Sequence, residues 1–208
     1  RGEVDAAAAR WQALAGELSL RRREAAARLG PAITNRMQTL GMVGGRFEIR
    51  VEPTGETQTS ATGFELVEFL VSANPGQPPR PLGKVASGGE LSRLSLAVQV
   101  TTARPDGDAQ AADVRCMVFD EVDSGVGGAV AEIVGRELAS LGRQAQVLCV
   151  THLPQVAAQG SSHLRVSKLT DGRTTRTQIA ALTADERVEE VARMLGGIST
   201  VSYHISEP

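Results

Sequence analysis

The stretch from residue 114 to residue 151 constrains the fold of this chain more than any other. Val114–Phe119 is a continuous apolar run, Val126–Leu141 carries a helical pattern, and Gln146–Thr151 is a second apolar run. Short, continuously apolar strands are expected where both faces of a parallel sheet are covered. Strand, helix, strand in this order predicts an α/β core. The first run ends on two adjacent carboxylates, Asp120-Glu121, and the second is followed by His152. Parallel sheets place functional groups at the C-terminal ends of their strands, so both ends are candidate sites.

The flanking segments complete the expected architecture. Residues 4–29 are rich in Ala, Leu, Arg and Glu, with Trp11, Leu14 and Leu18 spaced for one helical face. Gly30-Pro31 is expected to interrupt this helix, and Ala32–Leu40 to resume it up to Gly41. Phe47–Val51 and Phe64–Val71 read as an antiparallel pair with a long polar loop, followed by a Pro- and Gly-dense loop, Asn74–Pro81. Ser87–Thr102 reads as a helix, Arg104–Asp113 as a polar loop, Gly142 as a helix C-cap and Pro154–Gln159 as a turn or two of helix. Leu164–Leu169 and Thr174–Ile179 flank Asp171-Gly172, a hairpin signal. Ala184–Leu195 is a closing helix with Val188, Val191, Ala192 and Leu195 on one side, and Ser199–Pro208 has no legible assignment. The expected fold is a mostly parallel sheet flanked by helices, with antiparallel hairpins at its edges and a helical arm in front.

At 208 residues the chain fits one domain with an appendage, or two small ones. Aromatic residues make up only 3%, so the core must be built from Val, Leu, Ile and Ala. A net charge near −2 excludes a global pull toward nucleic acid or membrane. Residues 1–50 nevertheless hold nine Arg against five acidic side chains, with Arg21, Arg22 and Arg23 consecutive. That excess suits either DNA contact or a solvated helix. Cys116 and Cys149 lie inside apolar runs without metal-ligand spacing and read as buried, reduced thiols of a cytoplasmic protein. No apolar stretch reaches the ~18 residues that a membrane span needs. The chain opens on Arg1 without an initiator Met, so a fragment is expected.

Ser87-x-x-Glu90 has the form of a capping box. That does not account for Gly88-Gly89, because two glycines in a first helical turn are costly. Glycines there suit close approach to the backbone, and the free amides and positive dipole end of a helix start favour phosphate. At Asp120-Glu121, one carboxylate can hold Mg²⁺ directly or through water, and its neighbour can polarise an attacking water. Alternatively, the pair is an acidic strand end without a role. Asp123-Ser124-Gly125-Val126-Gly127-Gly128 fails as a dinucleotide fingerprint, because Val130 occupies the third glycine position. His152 can contact a terminal phosphate or be structural, and His163 and His204 receive no role. Lys84 and Arg93 suit contact with phosphate or nucleic acid, and surface solvation at least as well. A G-x-x-x-x-G-K-[ST] phosphate loop is absent: Gly83-Lys84 is followed by Val85, and Pro78 stands where the first glycine belongs.

Taken in order, Ala86-Ser-Gly-Gly-Glu-Leu-Ser-Arg93, Cys116-Met-Val-Phe-Asp-Glu-Val-Asp-Ser-Gly-Val126 and Val150-Thr-His-Leu-Pro-Gln-Val-Ala158 resemble the signature motif, the Walker B motif with its D-loop, and the switch-histidine loop of an ABC-type ATPase head. Within that superfamily the segments 119–126, 151–158 and 186–197 are most similar to the RecN family, SMC-like ATPases of bacterial DNA repair. SMC heads usually carry an Asp at the D-loop end where this chain has Gly127.

The resemblance implies the C-terminal lobe of an ATPase head over residues 43–208 and the end of a coiled-coil arm over residues 1–42. It implies ATP and Mg²⁺ as cofactors, with Asp120 on the metal, Glu121 on the attacking water and His152 at the γ-phosphate. Ser87, Gly88, Gly89 and Glu90 would serve the ATP of a partner head, and Asp123, Ser124 and Gly125 would form the D-loop. The implied partners are the N-terminal half of the same protein, which carries Walker A, a second head in an ATP-bound homodimer, and DNA ends. The implied setting is the cytoplasm, at the nucleoid. A structural DNA-tethering module with inactive ATP motifs, or the head of a related ATPase of the SMC, Rad50 or RecF type, is the alternative.

Overall fold

The structure is a computed structural model describing residues 2–54, 60–84, 88–102, 116–170, 175–196 and 202–206. The chain forms two compact units, residues 1–38 with 42–85 and residues 39–41 with 86–208.

The first unit is built on helix α1, Gly2–Thr39, and a three-stranded antiparallel sheet of β1, Arg46–Pro53, β2, Glu65–Ser72, and β3, Arg80–Pro81. The expected hairpin is present, with Phe47 opposite Val71 and Val51 opposite Val67. The expected break at Gly30-Pro31 is not: Pro31 lies inside a continuous helix. A proline there removes one helical hydrogen bond and crowds the preceding turn, and it restricts the residue before it chiefly through that residue's β-carbon. Gly30 has none. The helix is held across the proline by packing, since Ile33 and Met37 are buried and Thr34 Oγ1 accepts from the Phe47 amide at 2.9 Å. The packed face is only partly the expected one, since Trp11 packs but Leu14 and Leu18 do not. Ala15, Ser19, Gly30, Ile33 and Met37 turn inward, whereas Leu14 is 58% exposed. Small residues let the helix lie close to the strands.

The second unit is an α/β layer. Its helices are α2, Gly88–Thr102, α3, Gly128–Leu141, α4, Pro154–Ala157, and α5, Ala184–Leu195. Its strands are β4, Cys116–Phe119, β5, Gln146–Thr151, β6, Ser162–Thr170, β7, Thr175–Ala181, and β8, Ser202–Ser206. The sheet order is β4-β5-β8-β6-β7. Of its four pairings only β4–β5 is parallel, so the sheet is more mixed than expected. The reason is β8, in the segment without a legible assignment, which enters antiparallel between β5 and β6.

One face of β4–β5 is packed and the other is open. Phe119, Val147, Cys149 and Thr151 are buried, with Val134, Leu138, Val156 and Ala157 also in the core. Helix α3 approaches α4 through Gly135, where a β-carbon would stand 2.8 Å from Gln159 Cγ. On the opposite face Val118 is 64% exposed, Cys116 is exposed, and Leu148 and Val150 are half-buried. The expectation of cover on both faces is therefore not met within these residues, and Cys116 is not the buried thiol expected. It lies on the edge strand, on the open side. Cys149 does match, and burial, then Asp123 and Asp120, push its thiol up to about 12.

Helix α5 starts with a complete capping box between Thr183 and Glu186. Its inward residues are Glu190 and Met194, while Val188 and Leu195 are 70% and 68% exposed. The expected apolar side is thus turned outward. The inward polar positions are satisfied: Glu190 accepts from Arg193 and lies 3.8 Å from Arg165, and Arg187 donates to the Ala158 and Ser161 carbonyls. Among the described residues no helix is long and apolar enough to cross a membrane.

Candidate functional site

The site lies where β4 and β5 end side by side, since Phe119 pairs with Cys149 in parallel register. Beyond Phe119 the chain turns at once. Asp120 is exposed, and its Oδ1 accepts from the Glu121 amide at 2.9 Å. Glu121 has a φ of 55°, in the left-handed region. For a non-glycine residue that costs about 1–2 kcal/mol, and such strain tends to collect at functional positions. The turn is closed by Ser124 N–H donating to the Glu121 carbonyl at 3.0 Å and by Val126 N–H donating to the Asp123 carbonyl at 3.3 Å.

The sharp turn separates three acids in space. Asp120 and Glu121 are exposed. Asp123 is only 2% exposed and points into the end of β5. Its Oδ2 accepts from Thr151 Oγ1 and, at 3.2 Å, from the His152 amide, and lies 3.4 Å from His152 Nδ1. The Leu153 amide donates to Thr151 Oγ1 at 3.0 Å. Strand β5 and the turn after β4 are thereby tied together, and the His152 side chain stays 61% exposed.

The start of α2 completes the arrangement. A β-carbon on Gly88 would stand 2.7 Å from Glu121 Oε2, and one on Gly89 would stand 2.9 Å from Ser124 Cβ and 3.1 Å from the Ser124 carbonyl. These two glycines therefore admit the chain's own acidic turn to the positive end of the helix, where a carboxylate is favoured. Arg93, four residues beyond Gly89, is buried rather than solvated, and donates to the Ser124 carbonyl at 2.5 Å. Desolvation lowers its pKa, against an opposing effect of Glu90. Sequence reasoning missed this structural role, although a basic residue one turn into a glycine-started helix was its signal. Lys84 is exposed. Ser87 and the capping box proposed for it lie outside the described residues.

Among the described residues, no three His, Cys, Asp or Glu side chains cluster as a metal-binding group. Asp120, with one oxygen engaged by a backbone amide, still suits a Mg²⁺ ion. Mg²⁺ keeps several waters and commonly takes one or two carboxylates plus substrate phosphates.

In the first unit the consecutive arginines turn to partners within the chain. Arg21 pairs with Glu17 at 2.5 Å. Arg22 donates to the Thr62 carbonyl at 2.7 Å, and Arg22 and Arg23 lie 3.6 and 3.3 Å from the buried Glu65 carboxylate, which also accepts from Ser19. Trp11 Nε1 donates to the Ser60 carbonyl at 2.9 Å and its ring meets Phe64 edge-on.

Comparison with solved structures defines the class. The Smc head domain of Pyrococcus yayanosii, with a coiled coil and joint, superposes with a TM-score of 0.53 at 18% identity, over 79% of this chain and 28% of that one. The Smc head of Pyrococcus furiosus, with an extended coiled coil and bound to the C-terminal domain of ScpA, gives 0.50 at 16% identity, over 80% of this chain and 37% of that one. The fold is that of an Smc head domain. No protein-family model matches the chain. It is 50% identical to the DNA repair protein RecN of Xylella fastidiosa, over 98% of this chain and 35% of that protein. It is 46% identical to RecN of Vibrio cholerae, over 94% and 34%, and 45% identical to RecN of Bacillus subtilis, over 68% and 23%. The chain belongs to the RecN family and spans about a third of the length of the relatives it matches most fully.

Proposed function

We propose that this chain is the C-terminal lobe of an SMC-like ATPase head that acts in DNA double-strand break repair. The carrying observation is the meeting of three motifs at one sheet edge: Glu121 lies against Gly88, and Asp123 holds the end of the strand that carries His152. In this reading Asp120 would hold Mg²⁺, which would supply neutralisation of phosphate charge when bound. Glu121 accepts the proton of the attacking water, and His152 faces the γ-phosphate. Residues 1–42 form the end of a coiled-coil arm, and residues 43–208 the lobe.

The remaining half of the site comes from the N-terminal part of the same protein, which supplies the Walker A loop. The face bearing Cys116, Val118, Leu148 and Val150, beside a β4 edge that pairs with no strand among the described residues, supports such a partner, because parallel strands are seldom left bare on one side. Two heads close on ATP as a homodimer, with Ser87, Gly88, Gly89 and Glu90 serving the nucleotide of the partner head and Asp123, Ser124 and Gly125 forming the D-loop. Hydrolysis then releases the heads, and the arms tether DNA ends at the nucleoid, in the cytoplasm.

The test is turnover. This chain alone is expected to hydrolyse no ATP. In the full-length protein Glu121→Gln is expected to slow hydrolysis by about 10²–10⁴, the usual scale for a general base, while ATP-driven dimers persist. Undiminished hydrolysis in that variant would remove Glu121 from the role.

A further inference from the structure

We infer that Asp123 is the positioning residue of His152 within the same chain, presenting Nδ1 to its own carboxylate and leaving Nε2 as the nitrogen available to a ligand. The catalytic meaning of this pairing rests on the ATPase reading above, but its geometry does not.

The argument starts from burial. A carboxylate that is 2% exposed must be satisfied by donors. Thr151 Oγ1 and the His152 amide supply two, both to Oδ2. The His152 ring stands at the same oxygen through Nδ1, at 3.4 Å. An imidazole beside a carboxylate acceptor is favourable only with a proton on the facing nitrogen, and the partner of one ring nitrogen decides the state of the other. His152 in its neutral form is therefore the Nδ1–H tautomer, with its lone pair on Nε2. Thr151 contributes by fixing the carboxylate, and its hydroxyl is itself held by the Leu153 amide. Because both Asp123 backbone and side chain belong to the turn that carries Glu121, the histidine and the proposed base share one rigid support. A residue three positions after the strand-end acid thus acts in cis, in addition to any contact it makes with a second head.

The test reads the tautomer directly. Long-range proton–nitrogen correlation spectra of the 208-residue chain, with His152 assigned by its loss in His152→Gln, are expected to show Nδ1 protonated and Nε2 bare in the neutral ring. Asp123→Asn is expected to shift His152 toward the Nε2–H tautomer that imidazole favours in water, as happens when an orienting carboxylate becomes an amide. A predominantly Nε2–H His152 in the unaltered chain overturns the proposal, and so does a tautomer that Asp123→Asn leaves unchanged. If that variant does not fold, the tautomer of the unaltered chain decides alone. In the full-length protein the same variant is expected to lower kcat by about 10–100-fold, the scale for groups that orient a catalytic residue, with KM for ATP little altered. A full-length protein without any ATPase activity would sink the nucleotide reading and leave the tautomer result standing.

Discussion

Gly88 and Glu121 are near neighbours across 33 residues of sequence: a β-carbon on the glycine would stand 2.7 Å from Oε2 of the glutamate. The first residue of α2 thus adjoins the proposed base of its own chain. The same glycine pair is expected to serve a nucleotide held by a partner head, so one helix start would communicate with two chemical centres.

The two glycines are expected to respond differently to alanine. At Gly88 the obstacle is the far end of a flexible side chain, which can swing away. Stability should be unchanged or rise by up to about 1 kcal/mol, the helix-propensity gain, while displacement of Glu121 slows turnover in the full-length protein. At Gly89 the obstacles include the Ser124 carbonyl, part of the backbone, so Gly89→Ala should cost about 1–3 kcal/mol. Urea denaturation of both variants checks this, and equal losses would refute it.

Glu65 is expected to hold α1 to the sheet. Its side chain is 1% exposed, while its partners Arg22 and Arg23 are 24% and 62% exposed. Truncation leaves those arginines able to regain water, so Glu65→Ala should cost about 2 kcal/mol rather than the 3–5 typical of a fully buried pair. Glu65→Gln, which can still accept from Ser19, should cost less. Trp11, the chain's single tryptophan, hydrogen-bonds Ser60 in the same region and can report the transition by fluorescence.

Acid is expected to destabilise the second unit in two stages. Burial lowers the pKa of His163; Glu190 opposes the shift, and Arg187 and Arg165 add to it. The folded state therefore takes up a proton less readily than the unfolded one. Stability is complete above the unfolded value of about 6.5 and declines as pH falls from there toward the folded value. Glu190 shifts the other way from an ordinary buried acid. The Arg193 hydrogen bond lowers its pKa, with burial opposing, so its contribution is lost only as pH falls below the usual carboxylate range. Denaturation midpoints between pH 7.5 and 5.5 should flatten in His163→Leu, and an unchanged slope would exclude His163 as the source.

Neutralising Arg21, Arg22 and Arg23 together is expected to leave the salt dependence of DNA binding almost intact. Three phosphate contacts would reduce the slope of log affinity against log salt by about 2.7, at roughly 0.9 per contact. Arginines already paired with Glu17, Glu65 and Thr62 should change it by less than about 1. A fall near the larger value would favour the DNA-tethering alternative.

Elements carried by local periodicity were legible in the residues themselves. Gln146–Thr151 and Ala184–Leu195 have the boundaries expected from their patterns, and the motif residues Asp120, Glu121 and His152 stand at the ends of β4 and β5 as a candidate site. What could not be read depends on distant partners. Pro31 stays helical because strand β1 packs beside it. Ser19 meets Glu65 across 46 residues, and Thr151 meets Asp123 across 28, with no local pattern announcing either bond. Strand β8 was missed because its place between β5 and β6 is set by the sheet. The inward face of α5 was misjudged because Glu190 is rendered buriable by arginines, one of them on another element.

The uninterrupted α1 has a mechanical consequence. At 1.5 Å per residue its 38 residues make a rod about 57 Å long. It is pinned to its own sheet at two stations, Ser19 on Glu65 and Thr34 at the Phe47 backbone, roughly 22 Å apart along the axis. A rod fastened at one point can pivot, but one fastened at two transmits torque. A small rotation imposed on the β1–β2 pair would reach Gly2 at the same angle, as a displacement that grows with distance from Ser19 along the helix.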